Sequence, residues 1–276
     1  MSFAFQKPYK GPLRAVVLDW AGTVVDFGSV APVAAFVETF RRRGVAVTAE
    51  RARGPMGTPK KVHIGLMLKM DEVAREWERV HARRPDQADL DSLYQEFEPI
   101  QKALLPQYAD LIPGTLEAVA AFRRRGLKIG TTTGYTASMM AILAPEARKR
   151  GFEPDAIVTA DQVPSGRPHP WMCVAAAMRM QVYPMQAIVK VGDTLADIEE
   201  GLNAGMWSVG VVETGNEMGC SWPEFRELPI RVREDRRAKA FRKMQLAGAH
   251  AVVDSIAQVP ALLDEIAARV ARGERP

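Results

Sequence analysis

Apolar positions along this chain fall into two rhythms, and the change between them divides it. Leu13, Ala15, Val16, Val17 and Leu18 form a short apolar run, which predicts a strand buried on both faces of a parallel sheet. From about Ser29 to Ala109 the spacing turns helical, with no strand pattern. Val33, Phe36, Val37 and Phe40 make one stripe, closed by Gly44, and Thr48 is placed to cap a second short helix that Gly54-Pro55 ends. Thr58-Pro59 predicts an N-cap with proline at the first helical position, opening a helix through His63, Ile64, Met67 and Leu68. Helices over 72–83 and 90–105 complete the stretch. After Ile112-Pro113-Gly114 helix and strand alternate. Helices are expected over 115–125, 137–150, 171–180 and 196–204, with strands from 128 and over 156–159, 187–191 and 207–212. A last strand at 250–253 and a helix at 259–270 follow a stretch, 213–249, that reads as loop and basic helix. Such alternation implies a parallel sheet with right-handed crossovers. The expected fold class is therefore α/β: a Rossmann-type core from residues 1–28 and 110–276, with an all-α cap inserted at 29–109.

Composition narrows the function without naming it. With 276 residues, 47% hydrophobic and 25% charged, the chain can bury a large core and has the balance of an ordinary globular protein. No run approaches the roughly 18 apolar residues of a membrane span. The opening MSFAFQKPYKGPLR has no signal-peptide apolar stretch, and Cys173 and Cys220 are too few for a disulfide framework. Cytoplasmic residence is the expectation. A net charge of +4 raises the question of nucleic acid. However, Arg41-Arg42-Arg43, Arg123-Arg124-Arg125 and Arg148-Lys149-Arg150 each fall where a helix should end and complement its dipole. The denser run 231–243 reads as an exposed helical face with no aromatic interleaving to stack bases. Neither nucleic acid nor membrane is an expected partner.

The chemistry gathers at strand ends. Asp19 follows the first strand directly, and in open α/β sheets the ligand crevice lies outside that end. Gly22 and Thr23 come next, a backbone able to approach an anion and a hydroxyl to bind it. The run Ala187 to Val191 also ends in acid residues, Gly192-Asp193-Thr194-Leu195-Ala196-Asp197. Two strands delivering carboxylates to one edge make a hard-cation site suited to Mg²⁺. The run 127–130 ends in Thr131-Thr132-Thr133-Gly134-Tyr135, hydroxyls and amides for phosphate oxygens. Lys60 sits in the first turn of its helix, where the dipole disfavours a cation and burial under a cap would disfavour it further. A neutral amine there can attack a carbonyl. Lys61 points about 100° away around the helix and takes a structural role.

Together these residues resemble the haloacid dehalogenase superfamily of aspartyl-phosphate enzymes, with Asp19 as nucleophile, Thr133 and Arg167 on phosphate, and Asp193 and Asp197 as the acidic metal motif. One departure is informative. Phosphatases of that superfamily carry an Asp two residues after the nucleophile to protonate the leaving alkoxide, and here that position is Ala21. The DWAGT form, with GVAVTAE, GPMGTPK, TTTGYT, VPSGRPHPWMC, KVGDTLAD and NAGMWSVGV, resembles the phosphonatase family over nearly the whole chain. That likeness implies a HAD-like core with an inserted helical cap. It also implies hydrolysis of the carbon-phosphorus bond of phosphonoacetaldehyde to acetaldehyde and phosphate, in the breakdown of 2-aminoethylphosphonate. By the same likeness Lys60 forms a Schiff base, Met56 lies beside it, and His63 acts as a proton carrier near the imine or a base toward water. Gly22, Thr23, Thr133, Gly134, Tyr135 and Arg167 would hold the phosphonate, Arg167 through its guanidinium fork. Mg²⁺ would be held by Asp19, Asp193 and the Ala21 carbonyl, with Asp197 either touching it or supporting from behind. Ser29, where the chain enters the cap, is a substrate contact or a hinge and N-cap; His81, His169 and His250 read as structural. A homodimer through the cap is implied, with Phe36, Phe40 and Trp77 available for a seam. Two rivals stand beside this reading. A Mg²⁺-dependent phosphatase acting on small phosphate esters leaves Ala21 and Lys60 unexplained. A silent binding protein gives no reason to keep Asp19, Thr133, Arg167, Asp193 and Asp197 together.

Overall fold

A computed structural model describes residues 8–276; residues 1–7, assigned above to the core, lie outside the described residues. The chain begins with strand β1 (Ala15–Leu18) and then runs through five helices before returning to the sheet: α1 (Val30–Arg42), α2 (Ala49–Arg53), α3 (Lys60–Leu68), α4 (Asp71–His81) and α5 (Gln87–Leu104). From there strand and helix alternate: α6 (Thr115–Arg124), β2 (Lys128–Thr133), α7 (Ala137–Lys149), β3 (Ala156–Thr159), α8 (Trp171–Met180), β4 (Ile188–Gly192), α9 (Leu195–Asn203) and β5 (Trp207–Val211). The stretch read as loop and basic helix resolves into α10 (Trp222–Glu227) and α11 (Ile230–Leu246), followed by β6 (Ala251–Val253) and α12 (Val259–Ala271).

All six strands are parallel, in the order β3-β2-β1-β4-β5-β6. This is the doubly wound arrangement, in which the crevice forms where the order reverses beside β1. Leu18 pairs with Thr131 on one side and Val191 on the other, so Asp19, Thr133 and Asp193 leave the sheet at one rim. The strands are apolar on both faces because helices cover both, and β1 is wholly buried.

The helical insertion packs over that rim, α1 against α5 and α2, and α3 against α5 and α4. Its interior continues the sheet core without a break. Phe36, Phe40 and Trp77 are fully buried in the same cluster as Leu18, Trp20 and Val191. These three rings, offered above for a dimer seam, are therefore the cap's own core: Phe36 stacks on His63 of α3 and Phe97 of α5, ring centres 3.8 and 4.4 Å away. Two cap signals also differ from expectation. The Thr58 hydroxyl donates back to the Pro55 carbonyl at 2.8 Å, and the helix opens at Lys60 behind Pro59. Asp26, not Ser29, caps α1, its two carboxylate oxygens accepting from Val30 N and Ala31 N at 3.0 Å. Ser29 instead turns the chain with φ of 50° and makes no side-chain capping bond.

Candidate active site

A small cavity lies between sheet rim and cap. The core contributes Asp19 and Ala21 after β1, Thr133, Gly134 and Tyr135 after β2, Arg167 before α8, and Asp193 and Thr194 after β4. The cap contributes Ser29, Pro32, Met56, Gly57 and Lys60. Gly57 explains how the cap comes so close. Its φ is +90°, and a β-carbon there would collide with the side chain of Thr194. The loop before Lys60 thus reaches the rim only because no side chain intervenes.

Lys60 is buried, its Nζ 5.1 Å from the Tyr135 ring centre and 5.5 Å from that of Phe36. Burial is the main cause that lowers its amine from 10.5 to about 8; Asp19 opposes the shift and Arg167 adds to it. Lys61 faces solvent and pairs with Asp91 at 2.6 Å. His63 is fully enclosed, stacked on Phe36 with ring centres 3.8 Å apart. Its Nε2 lies 2.9 Å from the Ala52 carbonyl, which can only accept, so Nε2 carries the proton and Nδ1 keeps a lone pair with no partner. Burial, then the charge of Lys60, lowers this imidazole to about 3. A base toward water is therefore not what the geometry offers, since His63 neither meets solvent nor titrates near neutrality. A proton could be taken only at Nδ1.

Arg167 is clamped. Its Nη2 donates to Asp19 Oδ1 at 2.6 Å and to the Thr132 carbonyl at 3.0 Å, while Nε donates to Glu200 Oε2 at 2.9 Å. Despite that pairing, burial outweighs Arg167 and leaves the Asp19 carboxyl above its ordinary range. The Thr133 hydroxyl oxygen accepts from Tyr135 N at 3.1 Å, which leaves its own proton free for a ligand.

Gly22 and Thr23, expected on phosphate, lie outside this cavity. The Gly22 amide is spent on the Val25 and Asp26 carbonyls at 2.8 and 3.1 Å, the Thr23 amide on the Trp20 carbonyl at 3.2 Å, and the Thr23 hydroxyl is buried. Their role is the turn. Gly22 has φ of +83°, and a β-carbon there would strike Asp193.

Carboxylate oxygens of Asp19, Asp193 and Asp197 lie within 4.8 Å of one another. The three differ in how they are satisfied. Asp197 Oδ1 accepts from Lys190 Nζ at 2.6 Å and sits 3.0 Å from Arg167 Nη2, and its Oδ2 accepts from Thr194 Oγ1 at 2.6 Å. Burial pushes its carboxyl up, but Arg167 and Lys190 overcome that and hold it below the ordinary range. Asp193 Oδ2 accepts from Asn216 N at 2.7 Å, whereas its Oδ1 is buried with no partner. Burial, then the charge of Asp19, drives the Asp193 carboxyl far up. An orphaned carboxylate oxygen facing a second carboxylate is a donor set that fits a hard divalent cation.

The comparisons with known proteins decide the family. A haloacid dehalogenase-like hydrolase profile matches residues 13–205. The chain is 47% identical over 274 residues to the phosphonoacetaldehyde hydrolase of Nitratidesulfovibrio vulgaris, covering 99% of this chain and 98% of that one. The corresponding Bacillus cereus protein is 46% identical over 255 residues, 92% and 96% of the two chains. This chain belongs to the phosphonoacetaldehyde hydrolases. Among solved structures, a phosphonoacetaldehyde hydrolase like protein from Oleispira antarctica superposes with a TM-score of 0.96 at 39% identity, covering 100% of both chains. Three parts of this phosphonoacetaldehyde hydrolase site escaped the sequence reading: Pro32 on the cap side, and the buried charges Lys190 and Glu200 behind Arg167. Lys190 could have been found, because a lysine inside an apolar strand requires a buried acid.

Proposed function

We propose that this chain hydrolyses the carbon-phosphorus bond of phosphonoacetaldehyde, with Lys60 and Asp19 acting on opposite ends of one substrate. The observation that carries this reading is the shared cavity: a buried amine lowered to about 8, supplied by the cap, opens on the same space as the rim carboxylate. The Lys60 amine condenses with the aldehyde and releases water, giving an iminium. Asp19 attacks phosphorus, and the electrons of the breaking carbon-phosphorus bond flow into the iminium to give an enamine. An enamine is a far better leaving group than a carbanion, and no alkoxide needs protonating, which matches Ala21. Protonation of the enamine carbon, hydrolysis of the aspartyl phosphate and hydrolysis of the imine release phosphate and acetaldehyde and restore both residues. In this reading the Nδ1 lone pair of His63, whose ring feels the charge of Lys60, holds a proton near the imine, while Met56 lines the cavity with Lys60.

Asp19, Asp193 and the Ala21 carbonyl would hold Mg²⁺, with Asp197 supporting from behind because its oxygens are already engaged. When bound, the ion supplies charge neutralisation to the phosphonate oxygens and the carboxylates. Arg167 and the Thr133 hydroxyl hold those oxygens from the protein side, with the Gly134 backbone and Tyr135 closing the wall. The cap shuts water away from the imine.

The test follows both products. Incubation with phosphonoacetaldehyde and Mg²⁺ should release acetaldehyde and phosphate in equal amounts, and borohydride should leave a reduced adduct on Lys60. Lys60→Arg keeps the charge and cannot form the imine; carbon-phosphorus cleavage surviving in that variant overturns the Schiff base. Turnover of phosphate esters with no adduct would favour the phosphatase reading.

A second copy of the chain is the partner this reading carries, with the seam moved to the outer cap face. There Val62 and Leu66, one turn apart on α3, are 51% and 40% exposed beside Leu90. Leu66→Glu should convert a dimer to a monomer in sedimentation. No helix among the described residues is long and apolar enough to cross a membrane, which is compatible with work in the cytoplasm.

A further inference from the structure

Behind the cavity lies a tier of charge that the reaction above does not use. Glu200 on α9 and Lys190 on β4 are both fully enclosed. One oxygen of Glu200, Oε2, accepts from Arg167 Nε at 2.9 Å and from Thr132 Oγ1 at 3.0 Å, and lies 3.5 Å from Lys190 Nζ. The other edge of the same guanidinium is fixed by Asp19 Oδ1 and the Thr132 carbonyl, both on Nη2. A guanidinium is planar, so anchoring Nε and Nη2 sets the direction of the remaining donor, Nη1, which none of these bonds uses. Thr132 ties the two anchors together, since its hydroxyl donates to Glu200 while accepting from Arg167 Nη2 at 3.1 Å.

The geometry points to Glu200 as a positioning residue that fixes the plane of Arg167 and so aims Nη1 at the phosphonate and Nη2 at the nucleophile. This rests on the reading of Arg167 as a holder of phosphonate oxygens. It also accounts for arginine at this place. An ammonium lacks the two separately directed edges by which one guanidinium meets Asp19 through Nη2 and Glu200 through Nε, so a lysine here would hold the two carboxylates less well. Glu200 and Arg167 are thus a matched pair, and Lys190 is shared between Glu200 and Asp197 to keep the tier from excess negative charge.

The experiment uses the full chain in four forms: wild type, Glu200→Gln, Arg167→Lys and the double variant, with Arg167→Ala as a control. Inorganic phosphate is the ligand, titrated by calorimetry in Mg²⁺ buffer. Steady-state kcat and KM, and borohydride trapping of acetaldehyde on Lys60, are measured beside it. Glu200→Gln should weaken phosphate binding and lower kcat/KM by roughly 10- to 100-fold, the range seen when a residue orienting a ligand-holding group is removed. Trapping on Lys60, which needs neither Arg167 nor phosphate, should stay as in wild type. Adding Glu200→Gln to Arg167→Lys should cost nothing further and restore part of the activity, because the buried carboxylate that lysine holds less well is gone. Phosphate affinity unchanged in Glu200→Gln, with Arg167→Ala weakened, overturns the role of Glu200 alone. Losses that multiply in the double variant overturn the pairing. Phosphate affinity unchanged in Arg167→Ala removes the reading of Arg167, and Glu200's role falls with it. If Glu200→Gln fails to fold, Glu200→Asp keeps the charge beside Lys190 but withdraws from Nε; the same loss in phosphate affinity is expected, and wild-type affinity refutes the proposal.

Discussion

Lys60 must lose its proton before it can attack an aldehyde, so its burial has a measurable chemical consequence. With the amine lowered to about 8, about one molecule in ten carries neutral Lys60 at pH 7; an amine at 10.5 would do so in about one in three thousand. The reactive population is therefore about 300-fold larger than for an exposed lysine. The assay is borohydride trapping of acetaldehyde without Mg²⁺ or phosphate, after a fixed short incubation between pH 6 and 10, with the adduct mapped to its residue. Labelling of Lys60 should rise about tenfold per pH unit below 8 and level above it. Stability runs with the same proton. The folded pKa lies below the unfolded one, so the folded state loses its proton first as pH rises. Unfolding free energy attributable to Lys60 therefore climbs between pH 8 and 10.5 and is lowest below 8, where a charged amine is buried. Lys60→Met removes that cost and should be more stable than wild type at pH 7 by up to about 3 kcal/mol, with the gap closing by pH 10.5. A labelling midpoint near 10.5, an adduct on Lys61, or a Lys60→Met protein no more stable at pH 7 than at pH 10.5 relative to wild type would refute the reasoning.

Gly57→Ala puts a β-carbon against Thr194 at a φ of +90°; it should raise KM several-fold and slow Lys60 trapping while destabilising the fold by about 1 kcal/mol or more, as kinetics and thermal melts will read. His63→Gln keeps an N–H for the Ala52 carbonyl but removes the Nδ1 lone pair. Turnover should fall by roughly 100-fold, beyond what the lower melting temperature from losing the stack on Phe36 explains, and the wild-type rate profile should show no imidazole limb near pH 6.5, since His63 sits at about 3. Asp193→Asn removes one of two facing carboxylates; calorimetry should show Mg²⁺ binding weakened at least tenfold, about 1.4 kcal/mol, whereas an unchanged affinity would place the ion elsewhere.

The strands and the residues at their ends were legible because a buried parallel strand writes itself as an apolar run, and a polar group inside it, such as Lys190, needs buried partners that its end does not. Asp19, Thr133 and Asp193 follow from that rule, and the register places them at one rim. Gly22 and Thr23 obeyed the same logic and failed it, because sequence does not reveal that the turn consumes its own amides. The aromatic stripe of α1 was visible, but an amphipathic stripe does not say whether the chain's own elements or a second subunit cover it; α3 and α5 do, through His63 and Phe97. Glu200 stayed hidden for a related reason. Flanked by Glu199, it reads as a solvated helix face, yet Glu199 is exposed and Glu200 wholly buried, one residue of rotation apart.

That buried glutamate changes the electrostatic account of the whole site. Four carboxylates, Asp19, Asp193, Asp197 and Glu200, share one interior with two permanent cations, Arg167 and Lys190. Fully ionised, these six groups would carry two excess negative charges, an imbalance that burial makes expensive and that pushes the Asp19 and Asp193 carboxyls toward their protonated forms. One divalent ion would offset it in full, and Asp193 Oδ1, which has no partner, is an oxygen free to meet it. A phosphonate dianion entering with the ion would add two negative charges, of which an iminium on Lys60, in the proposed reaction, would answer one. Condensation with the aldehyde would therefore, in that reaction, do more than supply an electron sink. At about 8 the amine is protonated in about nine molecules of ten at pH 7, so condensation draws on the neutral tenth and returns the charge to the same nitrogen as an iminium.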